Sequence, residues 1–386
     1  VSQDLAFMSA VDLVRHYRAG KLSPVEAIKA ALERIADLDG RFNAFRLVDE
    51  ESALAAARAS EARWHKGAPA GPVDGVPATV KDLLITKGWS TLRGSKAVDP
   101  GQPWDEDAPS VARLRESGAV LLGKTTTPEF GWKGVTDSPL TGITRNPWDS
   151  GKTPGGSSGG AAVAAACGMG ALHLGTDGGG SIRIPASFTG IVGFKQSFGR
   201  VPASPLSPFG TLAHVGPMTR TVADAALMLS VIARPDARDW YAIPHDGRDY
   251  TAGLDDGVRG WKIAFSPALG GHPVDQEVAS LVRDAALAFR ELGATVEEAE
   301  PEIGDDCALT FTNHWFPGAA NALRAYSSEQ QALMDPGLRE IAGLGARLPL
   351  LDHLAAVKER EQLGVRLNRF HQTWDLLLTP TMPLPA

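Results

Sequence analysis

The chain has 386 residues, 43% hydrophobic and 22% charged, enough apolar residues for a large packed core and too many for a disordered chain. Its net charge of −7 argues against a general nucleic-acid binder, which presents a basic face, and its two cysteines, Cys167 and Cys307, are too few for a disulfide framework or a zinc cluster. No basic leader precedes an apolar stretch and no run reaches the roughly 18 apolar residues of a membrane span, so a cytoplasmic protein working without a membrane is expected.

In chain order, Leu5–Ala19 and Pro24–Leu38 read as amphipathic helices, the second opened by Ser23 as N-cap with Pro24 in its first turn. A third, Ala-rich helix covers Glu51–Lys66, and the turn-rich Gly67–Pro77 leads into a strand beginning at Ala78 and running toward Leu84. A helix over Ser110–Ser117 precedes the apolar strand Ala119–Gly123. The small-residue helix Gly159–Gly168 is followed by a short strand, Ala171–Leu174, and another over Ile191–Lys195. Thr221–Ala233 is a helix capped by Thr221, and Asp275–Leu292 is a helix stopped by Gly293, between strands Trp261–Phe265 and Ala294–Glu297. The polar stretch Asp236–Arg259 suits a loop or a join. Asp305–Arg369 reads as a mainly helical inserted cap, and a last strand begins at Asp375.

Strands alternating with helices, several of them apolar on both faces, predict an α/β protein: a mixed, largely parallel central sheet covered by helices on both faces. We expect a single domain, with N-terminal helices over 1–66, a core carrying the chemistry over 67–235, and the remaining sheet and helical cap over 236–386.

Two glycine-rich loops, Gly155-Gly156-Ser157-Ser158-Gly159-Gly160 and Gly175-Thr176-Asp177-Gly178-Gly179-Gly180-Ser181, each place a serine where bare backbone can approach a ligand. Serine hydroxyls beside main-chain N–H groups suit attack on a carbonyl and stabilisation of its oxyanion. Two simpler motifs mislead. Gly118–Thr125 fits the P-loop spacing, but its four intervening residues are themselves a strand. Gly156–Gly160 fits a nucleophile elbow with Ser158 at its centre, but a loop precedes it, and none of His214, His272, His314, His353 and His371 stands out as a partner.

The two loops, with Ile182-Arg183-Ile184-Pro185-Ala186 after the second, resemble the amidase signature family. So do Gly75-Val76-Pro77 with Val80-Lys81-Asp82, Gly123–Phe130, Thr144–Trp148, Val215–Arg220 and Leu377–Pro383. The resemblance implies the family's fold and a metal-free, cofactor-free hydrolysis of a linear amide through a Ser–cis-Ser–Lys triad and an acyl-enzyme. By position the triad is Ser181 as nucleophile, Ser157, preceded by a cis peptide bond, as relay, and Lys81 as base. A lysine has a pKa of about 10.4 in water, so a basic Lys81 must be buried. Asp82, next on the strand, points to the opposite face.

The same resemblance assigns an oxyanion hole to the N–H groups of Gly178, Gly179, Gly180 and Ser181, donors worth roughly 3–4 kcal/mol each in a transition state. It also places Gly131 near the substrate and gives Ser158, Thr176, Asp177 and Arg183 supporting roles; whether Arg183 instead faces a substrate carboxylate stays open. Gly178, Thr189 and Gln196 depart from the usual family pattern, none at the triad. Relatives continue beyond the position of Pro385-Ala386, so a truncated C-terminus is expected. The expected partner is a small amide, with a homodimer left open. The alternative is the glutaminase-type component of a tRNA-dependent amidotransferase. Phe130, Trp132, Phe209, Trp315 and Phe316 are core candidates that also suit an apolar acyl pocket.

Overall fold

A computed structural model of the protein describes residues 3–304 and 307–386. The described residues form two compact units. The first takes those up to Ala252 together with Arg324–Arg339, and the second takes Gly253–Leu323 and Glu340–Ala386.

The first unit is built on strands β1 (Phe45–Val48), β2 (Pro77–Lys81), β3 (Val120–Thr125), β6 (Leu172–Asp177), β7 (Val192–Gly193) and β8 (His214–Thr219), with a small hairpin of β4 (Asp137–Ser138) and β5 (Gly142–Ile143). The sheet order is β1-β3-β2-β6-β8-β7. Strands β3, β2 and β6 are mutually parallel, β1 and β8 are antiparallel to their neighbours, and β7 runs antiparallel to β8. Four of the six strands therefore point one way, giving the mixed, largely parallel sheet the sequence predicts. Its apolar strands bury both faces. Ala78, Val80, Leu121, Leu172 and Leu174 join a core with Val111, Leu114, Met228 and Leu229, while Val120 and Leu122 pack with Ile28, Ile35, Val163 and Met169.

Local sequence sets several boundaries. The single helix expected over Leu5–Ala19 is two, Gln3–Ala6 and Ala10–Arg18, because the Ser9 side chain accepts from Asp12 N at 3.0 Å and caps the second. Helix Pro24–Phe42 starts at a capping box between Ser23 and Glu26. The strand expected to run from Ala78 toward Leu84 stops at Lys81, because Leu83 N and Leu84 N turn back to the Lys81 carbonyl at 2.7 and 3.0 Å. That turn leaves Lys81 at the C-terminal edge of the parallel strands, where open α/β sheets place their ligands.

The second unit has its own parallel sheet, β10-β9-β11 (Thr295–Glu298, Lys262–Phe265, Leu376–Leu378), packed by helix Gln276–Glu291 through Ala286, Val282 and Phe289. Helices Cys307–Leu323, Pro336–Ala346 and Leu350–Phe370 fall within the region read as a cap, whose first residues, Asp305 and Asp306, lie outside the described residues. The Arg324–Arg339 portion belongs to the first unit.

Candidate active site

Lys81 ends β2 completely buried. Its Nζ lies 2.7 Å from Ser157 Oγ, 2.8 Å from Ser158 Oγ and 2.9 Å from Thr176 Oγ1. All three partners are neutral hydroxyls. Burial drives the Lys81 pKa well below the ordinary lysine value, against a weaker upward pull from Asp177. An ammonium there donates to three oxygens, whereas a neutral amine donates to two and accepts from the third. Ser158 is not free to be that third, because its hydroxyl donates to Thr176 O at 3.1 Å while accepting from Thr176 N at 3.2 Å. Ser157 Oγ and Thr176 Oγ1 bond no other group than Lys81 among the described residues, so either hydroxyl is free to be that third.

The two glycine loops converge as their sequences suggest. Gly156–Ser157 is a cis peptide bond that does not involve proline. Ser158 N donates to the Ser181 carbonyl at 3.1 Å, tying the loops together. The helix Gly159–Ala166, buried through Ala165, begins right after the first loop's serines, and Ser181 is itself buried.

Asp177, the last residue of β6, organises the second loop. Its carboxylate accepts from Gly180 N (2.8 Å) and Ile182 N (3.1 Å), and from Arg183 Nε and Nη2 at 2.9 and 2.8 Å. Burial favours the neutral acid, but the bidentate Arg183 and the backbone donors outweigh it and hold the Asp177 pKa down to about 2. The open question about Arg183 is thereby narrowed: two of its nitrogens hold Asp177. Of the N–H groups expected to form an oxyanion hole, that of Gly180 donates to Asp177, and Gly180, at φ +116°, shapes the loop.

Gly131 has φ +73°, and a Cβ there would stand 3.2 Å from Ser157 Oγ and 2.8 Å from Leu83 Cδ1, so only glycine lets this turn lie against the serine. Its neighbour Phe130, at φ +52°, is a bulky residue in the left-handed region. Phe130 N donates to Arg93 O at 2.8 Å, and its ring meets the edge of Tyr326 at 5.5 Å. Buried Glu129 accepts from Asp335 N at 2.5 Å, and Lys133 pairs with Asp335 at 2.9 Å. Sequence reasoning missed Glu129, Lys133, Tyr326 and Asp335 because these ties join segments about 200 residues apart, with no local signal. Of the aromatics considered, Phe130 and Phe209 are buried in the first unit, while Trp315 and Phe316 lie on a helix of the second. No cluster of three or more His, Cys, Asp or Glu placed to hold a metal occurs among the described residues, and no described helix is long and apolar enough to cross a membrane.

The chain is similar to known proteins. A family model described as Amidase matches residues 26–386. The chain is 37% identical to an acylamidase of Rhodococcus erythropolis, covering 98% of this chain and 80% of that protein. It is 38% identical to the A subunit of the glutamyl-tRNA(Gln) amidotransferase of Myxococcus xanthus, covering 99% of this chain and 84% of its relative. Among solved structures, a bacterial aryl acylamidase of the amidase signature family superposes with a TM-score of 0.92 at 33% identity, over 98% of this chain and 80% of that one.

Proposed function

The chain belongs to the amidase signature family and is a hydrolase acting on amide bonds; from that premise we propose that it cleaves a linear carboxylic amide, releasing the acid and ammonia or an amine, through Ser181, Ser157 and Lys81. The observation that carries the reading is a fully buried lysine whose hydrogen-bonding partners are three hydroxyls, one of them Ser157 at 2.7 Å. Neutral Lys81 takes the Ser157 proton as Ser157 takes that of Ser181. Ser181 Oγ then bonds to the amide carbon, and the negative oxygen faces the N–H groups around Gly178, Gly179 and Ser181. The proton returns through Ser157 to the leaving nitrogen as the C–N bond breaks, leaving an ester on Ser181. Water, deprotonated along the same route, hydrolyses that ester and regenerates the serine. Gly131 lines the approach to Ser157, and Asp177 with Arg183 keeps the second loop in shape.

The test is covalent labelling. A fluorophosphonate is expected to add its mass to Ser181 in the intact protein and not to Ser181→Ala. Labelling at another serine with full amide turnover in Ser181→Ala would defeat the assignment.

The likeness to an amidotransferase component favours one second reading, a glutaminase that works with partner proteins. Ammonia release from glutamine only in the presence of a co-purifying protein selects it. Turnover of simple amides by the isolated chain selects the first.

A further inference from the structure

Lys124 is the lysine of the segment that mimics a P-loop, and the structure makes Val120–Thr125 of that segment β3. Like Lys81 it is fully buried, yet the mechanism above gives it no task. The β2–β3 register shifts by one residue between Ala78 and Thr79, so Lys124 stands beside Val80 and Thr125 beside Lys81. Neighbouring residues of a strand face opposite ways, and Val80 belongs to the core on the side away from the serine loops. Lys124 therefore works from behind the site.

Its partners converge on the turn that follows Lys81. Nζ donates to Leu84 O at 2.5 Å, to Thr91 Oγ1 at 2.8 Å and to Thr86 Oγ1 at 3.1 Å, and lies 3.8 Å from Asp82 Oδ1. Arg46 pairs with the same Asp82 oxygen at 3.1 Å and also holds Ser90 O. Asp82 N in turn donates to Thr125 O at 3.0 Å. The clamped stretch is the one whose Leu83 and Leu84 N–H groups both bond the Lys81 carbonyl, and the Leu83 side chain reaches the Gly131 turn beside Ser157.

We propose that Lys124 is a positioning residue for the amidase reaction: with Asp82 and Arg46 it locks the Asp82–Thr91 turn, and so fixes Lys81 within reach of Ser157 and Leu83 against Gly131. This rests on the reading of Lys81 as base. Burial lowers the Lys124 pKa to about 7 against the upward pull of Asp82, and Arg46, Arg93 and Asp107 also act on it, so its charge is sensitive to its surroundings at neutral pH. Its place is functionally poised but not reactive, because the Thr86 and Thr91 hydroxyls both donate to Leu84 O (3.1 and 3.3 Å) and hold no proton in reserve.

The experiment measures kcat, KM and the pH profile of Lys124→Met on a chromogenic nitroanilide, beside wild type and Lys81→Met. Loosening the turn lets water reach Lys81, which restores ordinary basicity. The expected result is a fall in kcat of about tenfold with KM nearly unchanged, and an acid limb displaced by about half a pH unit or more toward alkaline pH. A purely structural lysine lowers the melting temperature and the amount of folded enzyme and leaves the acid limb in place; that outcome overturns the proposal. Should Lys124→Met not fold, Asp82→Asn and Thr91→Val carry the same test, each removing one partner of the amine. Activity in Lys81→Met would sink the reading of the base itself, and is distinguishable from a silent Lys124→Met in an enzyme that Lys81→Met inactivates.

Discussion

The two sides of β2 and β3 present the same residue in opposite trades. Lys81 and Lys124 are both wholly enclosed, and burial lowers the pKa of each. Around Lys124 every hydroxyl proton is spent on Leu84 O, and a carboxylate stands 3.8 Å away. Around Lys81 there is no carboxylate in bonding distance among the described residues, Ser158 is spent on Thr176 O, and the Ser157 and Thr176 hydroxyls are each left with the lysine as their one partner. Desolvation makes an amine weakly basic wherever it occurs. It becomes useful only where a hydroxyl with an uncommitted proton leads onward to a nucleophile. The carboxylate that acts on Lys81, that of Asp177, is occupied by the Arg183 side chain and by the backbone N–H groups of Gly180, Ile182 and Arg183, which keeps it from fixing the proton on the lysine.

The sharpest way to break this comparison is to remove the Lys81 amine. Lys81→Met is expected to cost on the order of 10⁴-fold in kcat/KM, the scale on which loss of a triad member acts. In the wild type the rate falls as pH drops through the lowered Lys81 pKa, because protonation there removes the base; a rate that rises on acidification contradicts that role.

Next in size is the Asp177 clamp. Arg183→Met leaves a buried carboxylate without its bidentate partner, beside an amine that must stay neutral. The Asp177 pKa then rises from about 2, while its charge, when present, pulls the Lys81 pKa up. We expect a loss of about ten- to hundredfold in kcat/KM at neutral pH, with the acid limb moved to higher pH. Stability follows with a definite sign. A folded-state pKa below the ordinary 3.8 stabilises the wild type above that value, and the stabilisation is lost as pH falls through about 2, so the variant should lack this contribution at neutral pH and lose less on acidification. Urea titrations of both proteins between neutral and acid pH check it, and parallel curves would refute it.

How much of this is legible in the sequence depends on whether the signal is local. Ser157 and Ser181 stand out because their glycine loops are written in consecutive residues, Lys81 is singled out only by the family resemblance, and the alternation of apolar strands with helices points to the sheet. Ser9 is equally local, yet its capping role is masked by an otherwise periodic run. The Gly180 N–H bond to Asp177 is not legible in advance, because loop composition shows how many donors exist, not which of them Asp177 takes. Lys124 is hidden twice over: its spacing imitates a phosphate loop, and its face is decided by a register shift that no composition records. The Glu129–Asp335 bond joins residues 206 positions apart, and nothing near either one announces the other.

The gentlest test trims one of the three hydroxyls from Lys81. Thr176→Val keeps the shape of the residue and removes the oxygen 2.9 Å from Nζ. A neutral amine that accepts from Ser157 still donates to Ser158 and is left with one unsatisfied N–H, a cost of about 1–3 kcal/mol to stability. An ammonium loses one of three acceptors, and its charge is supported less, so the Lys81 pKa falls further. The acid limb should therefore move to lower pH, opposite in sign to Arg183→Met, while kcat on the plateau changes by only a few fold. The two variants displace the same limb in opposite directions only if the limb belongs to Lys81; shifts of the same sign would assign it to another group.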